Sequence, residues 1–348
     1  MKKVIICTIY AILCLLIYIK TDFSKSVTIS KIDYDSKPFT EIEKVDEKSE
    51  WINIPTYEES GEVTHPKVIY QNKGINGYKY WMVSTPYPFN DAYYENPSIT
   101  VSNDGTNFIE PDGIKNPVSG FSDTYNDNSY YSDPFMLYNG SEFELFYRKT
   151  KSIDNGKYIK DGFNYMIYQT SKDGISWSEK EYILLNNPPE RYMSMSVVKQ
   201  DNLYKIWYIN YDGVIRYIES ADLKNFSKPI SVKVNDFNKF IWHGEIQYVD
   251  GKYVLVLLIR YKLYYSESVD GINFDKPKLI DTNLDELNGT IHHIYKSSFI
   301  IDKNKVELFV PIRVNYVWKM RHFVFEKENF YNFINKKEIN WFLFNYLY

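Results

Sequence analysis

Ser171-Lys172-Asp173-Gly174-Ile175-Ser176-Trp177 is one of four versions of a single pattern in this chain. The others are Ser102-Asn103-Asp104-Gly105-Thr106-Asn107-Phe108, Ser220-Ala221-Asp222-Leu223-Lys224-Asn225-Phe226 and Ser268-Val269-Asp270-Gly271-Ile272-Asn273-Phe274. Their common form is Ser-x-Asp-Gly-x-x-aromatic. Asp-Gly makes a tight turn because glycine accepts positive φ, and an aromatic three residues later can pack back between neighbouring sheets. Equivalent positions 105, 174, 223 and 271 lie 69, 49 and 48 residues apart, a period near 50 with one insertion. One copy is an ordinary hairpin turn; four copies in phase indicate a repeat architecture of blade size.

Between the turns run strand-like segments at 78–84, 142–148, 204–209, 252–260 and 305–312, and no stretch of helical periodicity intervenes. These features predict an all-β fold, a five-bladed β-propeller with blades at about 65–110, 130–180, 192–230, 240–280 and 290–326. Radial repetition leaves only short protected edges if one terminus supplies a closing strand, for which 50–55 and 319–326 are the candidates. A monomer is the expected state. The propeller is expected over 61–326, and the aromatic tail 327–348 is expected to pack on it.

Residues 1–20 read as a separate segment. Lys2 and Lys3 precede an apolar run from Val4 to Ile19, and no small-x-small site follows, so an uncleaved signal anchor is expected, with secretion after cleavage as the alternative. With both lysines cytoplasmic, the rest of the chain lies outside, tethered to the membrane. Residues 21–60, rich in Lys, Asp, Glu and Ser, read as a spacer. Both cysteines, Cys7 and Cys14, fall in the apolar segment, which leaves the remaining chain without a disulfide, a thiol nucleophile or a thiolate metal site. The 41 basic and 45 acidic residues are mixed along the chain and offer no basic stripe for nucleic acid. The 34 tyrosines suit half-buried strands and equally suit surfaces that stack on sugar rings.

In a propeller the first strand of each blade lines the axial channel, so polar residues at blade starts converge although they are distant in sequence. The starts read Thr64-His65-Pro66-Lys67, Ser132-Asp133-Pro134-Phe135, Ser194-Met195-Ser196, His243-Gly244-Glu245 and Thr290-Ile291-His292-His293. The Asp-Pro at Asp133, the repeated turns, Glu245 and the paired histidines resemble the five-bladed glycoside hydrolases of families 43 and 32, over about residues 62–326. The resemblance implies a glycosidase acting on a polysaccharide or oligosaccharide through inner-strand carboxylates. It requires no cofactor, and a calcium ion is a candidate for the axis. Two departures stand out: His65-Pro66 replaces an Asp-Pro in the first blade, and the acid expected on the third blade is matched only by Glu245 on the fourth.

Glycoside hydrolysis needs one protonated and one ionised carboxyl on opposite sides of the sugar. Asp133 and Glu245 are the expected base or nucleophile and acid, with Glu95 as a third carboxylate. His65, His243 and His292 are candidate substrate contacts, and His293 is a candidate metal ligand. Arg148, Arg260 and Arg313 each end a predicted second strand, where they can pair with inner carboxylates or bind an acidic sugar. Trp242 and Tyr131 are candidates for a stacking wall. Two alternatives stay open. One is a non-catalytic carbohydrate-binding propeller that assists surface-polysaccharide assembly; the other is a sialidase-type enzyme, which needs an arginine triad and a tyrosine nucleophile.

Overall fold

The computed structural model describes residues 47–121, 129–151, 163–183, 191–237, 239–280 and 291–336. The first strand, β1 (Glu47–Ile52), leaves the N-terminal region to join the far end of the chain. The first blade follows as β2 (Val63–Ile75), β3 (Tyr78–Pro86) and β4 (Ser98–Ser102), and the second as β5 (Ser129–Tyr138), β6 (Phe143–Lys151), β7 (Phe163–Ser171) and β8 (Glu181–Ile183). The third is β9 (Met193–Gln200), β10 (Leu203–Ile209), β11 (Ile215–Ser220) and β12 (Ile230–Ser231). A short β13 (Lys233–Val234) leads to the fourth, β14 (His243–Val249), β15 (Lys252–Ile259), β16 (Lys262–Ser268), β17 (Asn273–Phe274) and β18 (Lys278–Ile280), where β13 and β17 pair in parallel across two blades. The fifth has β19 (Ile291–Ile294) and β20 (Ser298–Ile301) innermost, then β21 (Lys305–Val314) and β22 (Val317–Glu326), before helix α1 (Lys327–Lys336).

Within each blade neighbouring strands are antiparallel and follow chain order from inside outward. The inner strands touch around a ring, β2 against β5, β5 against β9, β9 against β14, β14 against β20 and β20 against β2. The all-β five-bladed propeller expected from the repeat is therefore the observed fold. The ring closes through β1, which pairs with β22 from Glu47↔Phe325 to Ile52↔Met320 and becomes the outermost strand of the last blade. Residues 47–52 thus belong to a blade, although their polar composition placed them in the spacer. The segment 319–326, the other closing candidate, is β22 itself. Residues 1–20 and 337–348 lie outside the described residues, and no helix among the described residues is long and apolar enough to cross a membrane.

Five apolar clusters fill the gaps between blades. Strand alternation sends one side chain in two into each gap, which explains the large apolar residues of the second strands: Trp81, Phe146, Trp207, Leu255 and Phe309 are all fully buried. Phe330 and Ile334 of α1 join the cluster between blades four and five.

The repeated turn is the staple between these sheets. In each copy the Asp carboxylate accepts the main-chain N–H two and three residues on, and the Ser hydroxyl accepts the N–H of the glycine position. The turn then docks on the preceding blade: a Cβ on Gly174 would lie 2.3 Å from Trp81, and one on Gly271 would lie 2.8 Å from Trp207. The fifth blade has no copy because its outermost strand comes from the other end of the chain.

Candidate functional site

Three inner strands carry the same irregularity. His65, Asp133 and Ser194 have φ of 50°, 50° and 49°, in the left-handed region, and the pairing of each inner strand with its neighbour slips there. The bulge turns these side chains onto the axis. Pro66 and Pro134 follow the first two and donate no ladder hydrogen bond. His243 of blade four and Tyr295 of blade five complete a ring of five at this level; the first four are buried, and Tyr295 is half-buried. His243 and Tyr295 rings lie 4.3 Å apart, and those of His65 and Tyr295 lie 4.9 Å apart.

Asp133 is the hub of this ring. Its Oδ2 meets Arg148 Nη2 at 2.9 Å, and its Oδ1 accepts the Ser194 main-chain N–H at 3.1 Å. His65 Nε2 and His243 Nδ1 each stand 3.7 Å from Oδ1, beyond ordinary hydrogen-bond distance. Burial opposes ionisation of Asp133, but the surrounding His65, Arg148, His243 and Lys296 outweigh it and hold the carboxyl far below its usual range. Burial lowers the His65 pKa to about 4, with Lys296 and Arg148 adding to the effect against the pull of Asp133. His243 is likewise pushed well down by burial. Both imidazoles are therefore neutral near pH 7, and Arg148 is the cation paired with Asp133. Glu95 goes the other way: burial, reinforced by the Asp133 charge, raises its pKa well above the usual value.

The ring has the makings of a metal site. His65, Asp133 and His243 each offer a ligand atom, and these atoms lie within 4.8 Å of one another. His65 Nδ1 faces Thr85 Oγ1 at 3.0 Å and Glu95 Oε1 at 3.4 Å, and His243 Nδ1 faces Ser194 Oγ at 2.6 Å. With those nitrogens so engaged, the Nε2 atoms of both rings are buried with no hydrogen-bond partner. Such a partner on the far nitrogen is how metal-binding imidazoles are held. Two imidazoles and a carboxylate suit zinc or another first-row divalent ion better than calcium, which prefers an all-oxygen shell.

Glu245 does not share this site. It lies two residues further along β14 than His243, one layer deeper, where Lys67 Nζ donates to its Oε1 at 2.7 Å and Gln247 donates to the same oxygen. Lys67 also stands over the Phe135 ring, so this second layer repeats the bulge phase of the first. Asp133 and Glu245, the expected base and acid, therefore stand at different levels of the channel, each with its own cation, Arg148 for Asp133 and Lys67 for Glu245. Glu95 is the carboxyl that joins Asp133 in the same cage.

The other candidates divide. Trp242, Arg260, Arg313 and His293 line a cleft of about 1190 Å³ together with Tyr87, Phe240, Tyr261, Tyr295 and Trp318. His293 stacks against Tyr261 at 4.5 Å in this cleft rather than joining the metal cluster. Tyr131 is corrected: it is buried between blades one and two, edge-on to Tyr147, with its hydroxyl accepting from Lys180, because it points to the face of β5 opposite the axis. The side chain of His292 lies outside the described residues. Sequence reasoning placed Ser194 at a blade start without choosing it as a site residue, and it missed Tyr295 and Lys296 as axial residues. Ser194 is the blade-three counterpart of His65 and Asp133. Tyr295-Lys296 was displaced because the bulge between Ile291 and His293 shifts the phase of the last blade past the two histidines.

No protein-family profile matches the chain. Among curated proteins it is 26% identical over 302 residues to the A type blood N-acetyl-α-D-galactosamine deacetylase of Flavonifractor plautii, in an alignment that covers 68% of this chain and 37% of that protein. The chain thus spans well under half the length of this relative. The solved structure of an N-acetylgalactosamine deacetylase from F. plautii with blood group B trisaccharide superposes with a TM-score of 0.70 at 18% identity, over 83% of this chain and 97% of that one. A family 43 endo-arabinanase of Bacillus licheniformis gives a TM-score of 0.53 at 11% identity, over 78% of this chain and 96% of that chain. The fold is that of the family 43 and 32 propellers, as the resemblance in the sequence implied.

Proposed function

We propose that this chain is an exported, carbohydrate-acting hydrolase that removes an N-acyl group from an amino sugar, with a divalent cation held by His65, Asp133 and His243. The observation that carries the reading is the pair of buried imidazole Nε2 atoms, without hydrogen-bond partners, in rings that cluster with an ionised Asp133. A divalent ion there would polarise an acyl carbonyl and make water a nucleophile at neutral pH. Arg148 keeps Asp133 ionised; Thr85 and Ser194 fix the two imidazoles. The cleft with the exposed Trp242 and Tyr261 gives a sugar ring apolar faces to lie on. The named activity of the F. plautii relative supports this choice of bond. Export rests on the Lys2-Lys3 start and the apolar run to Ile19, and cell fractionation tests it.

One observation favours glycoside hydrolysis as a second reading. Glu95, whose pKa burial raises, and Asp133, whose pKa its neighbours lower, stand beside a common histidine, the divergence of two carboxyls that this reaction uses. A single assay separates the readings: purified protein is given N-acetylhexosaminides, and released acetate and new reducing ends are measured with and without a chelator. Acetate without new reducing ends, lost on chelation and restored by zinc, is expected. New reducing ends without acetate would instead establish the glycosidase. Neither product, with sugar binding retained, would leave a binding module.

A further inference from the structure

Arg191 stands apart from the cations so far accounted for. It enters β9 with its main-chain N–H donated to Asn210 Oδ1 at 3.1 Å, and its guanidinium lies over two aromatic rings, 5.4 Å from the centre of Trp242 and 5.8 Å from that of Tyr211. No carboxylate pairs with it among the described residues. Burial and the nearby Arg148 both disfavour its charge, and Asp133 only partly compensates. Asp133, the carboxylate that faces it, is already paired with Arg148 at 2.9 Å. The cleft beside Arg191 is lined by Lys262 and Arg313, with no carboxylate among its described lining residues.

We propose that the Arg191–Trp242 corner is a subsite for a sugar that carries an anionic group, a carboxylate or a phosphate ester. Trp242, 41% exposed, offers its face to the apolar side of a sugar ring. The planar guanidinium stacked above it is pre-oriented to give two parallel N–H donors to one oxyanion, the geometry in which arginine surpasses lysine. A neutral sugar would gain the stacking but leave the guanidinium with water alone. The proposal rests on the carbohydrate reading of the site and not on which bond is cleaved.

The test is binding by the full chain, followed through tryptophan fluorescence and calorimetry, of methyl glucuronide, glucose 6-phosphate and methyl glucoside, for wild type, Arg191→Gln and Arg191→Lys. At least one anion is expected to bind about tenfold or more tighter than methyl glucoside, the scale of one charge-assisted bidentate contact. Preference for the glucuronide assigns a carboxylate, and preference for the phosphate assigns an ester. Arg191→Gln should abolish the preference while leaving glucoside binding and melting temperature in place, and Arg191→Lys should keep only part of it. Equal binding of all three by wild type, or an undiminished preference in Arg191→Gln, overturns this proposal alone. Binding of none of the three removes the carbohydrate reading beneath it.

Discussion

A left-handed backbone at His65, Asp133 and Ser194 costs on the order of 1 kcal/mol each for an L-residue, so the fold spends stability to aim these three side chains at the axis. That cost sets apart the two inner-strand carboxylates. Asp133→Asn should reduce hydrolysis by at least about a hundredfold and destabilise the protein by about 3 kcal/mol, because buried Arg148 is stranded. Glu245→Gln should destabilise by a similar amount, through stranded Lys67, yet leave the rate per folded molecule within about twofold. Urea midpoints alongside product release distinguish the two, and a rate loss in Glu245→Gln matching that of Asp133→Asn would return it to the mechanism. His65, Asp133, His243 and Glu95 were legible as sequence because blade starts and a short acidic loop are few. Depth along a strand was not legible: His243 and Glu245 share a face by alternation, and only the ring of neighbours shows which of them meets Asp133.

At the level of strands and turns, the Ser-x-Asp-Gly repeat earns its place by docking on the blade before it. Gly174→Ala would meet Trp81 and keep a strained φ of 74°, for a combined cost of about 2–4 kcal/mol in urea unfolding; a change below about 0.5 kcal/mol would show that the turn does not bear on the neighbouring blade. Leu223, at φ 57°, shows that one copy tolerates a side chain where the adjoining gap has room to bury it. The seam between the last and first blades depends on Glu307, which accepts from Tyr80 Oη at 3.1 Å, His322 Nε2 at 2.8 Å and Lys305 Nζ at 2.7 Å. Burial raises the pKa of its carboxyl, but the bonds from His322 and Lys305 prevail and hold it below its ordinary value. The folded state therefore binds this proton less readily than the unfolded chain. The stability it lends is complete above the unfolded pKa of about 4.3 and is lost as pH falls through the lower folded value. Glu307→Gln should accordingly have a lower urea midpoint at pH 7 and a flatter decline below about pH 4 than wild type. Parallel declines in the two proteins would assign the acid sensitivity elsewhere.

Over the whole molecule, five second strands and four turns were enough to count the blades, because the period lives in short local signals. The closing strand was less visible. Glu47–Ile52 has a charged sequence, EKSEWI, and only Ile52 of its described side chains is buried, so nothing local distinguishes it from a spacer. Its assignment depends on a partner more than 260 residues away, which no local pattern encodes. A chain begun at Glu47 is expected to melt as the full chain does. One begun at Pro55 should melt about 5 °C or more lower and associate in solution through the bare edge of β22. Equal melting of the two would mean that the ring holds without its last strand.

The bulged ring has a further meaning, for how such a protein changes over time. At this level each blade contributes one residue from a separate hairpin, so the ring spells a five-letter word, here His65, Asp133, Ser194, His243 and Tyr295. The apolar gaps between blades are filled by other side chains, so a substitution at one letter spares the packing between sheets and costs only the polar contacts that letter makes with its neighbours. Chemistry and architecture are inherited on different strand faces, and a lineage is free to rewrite one without renegotiating the other.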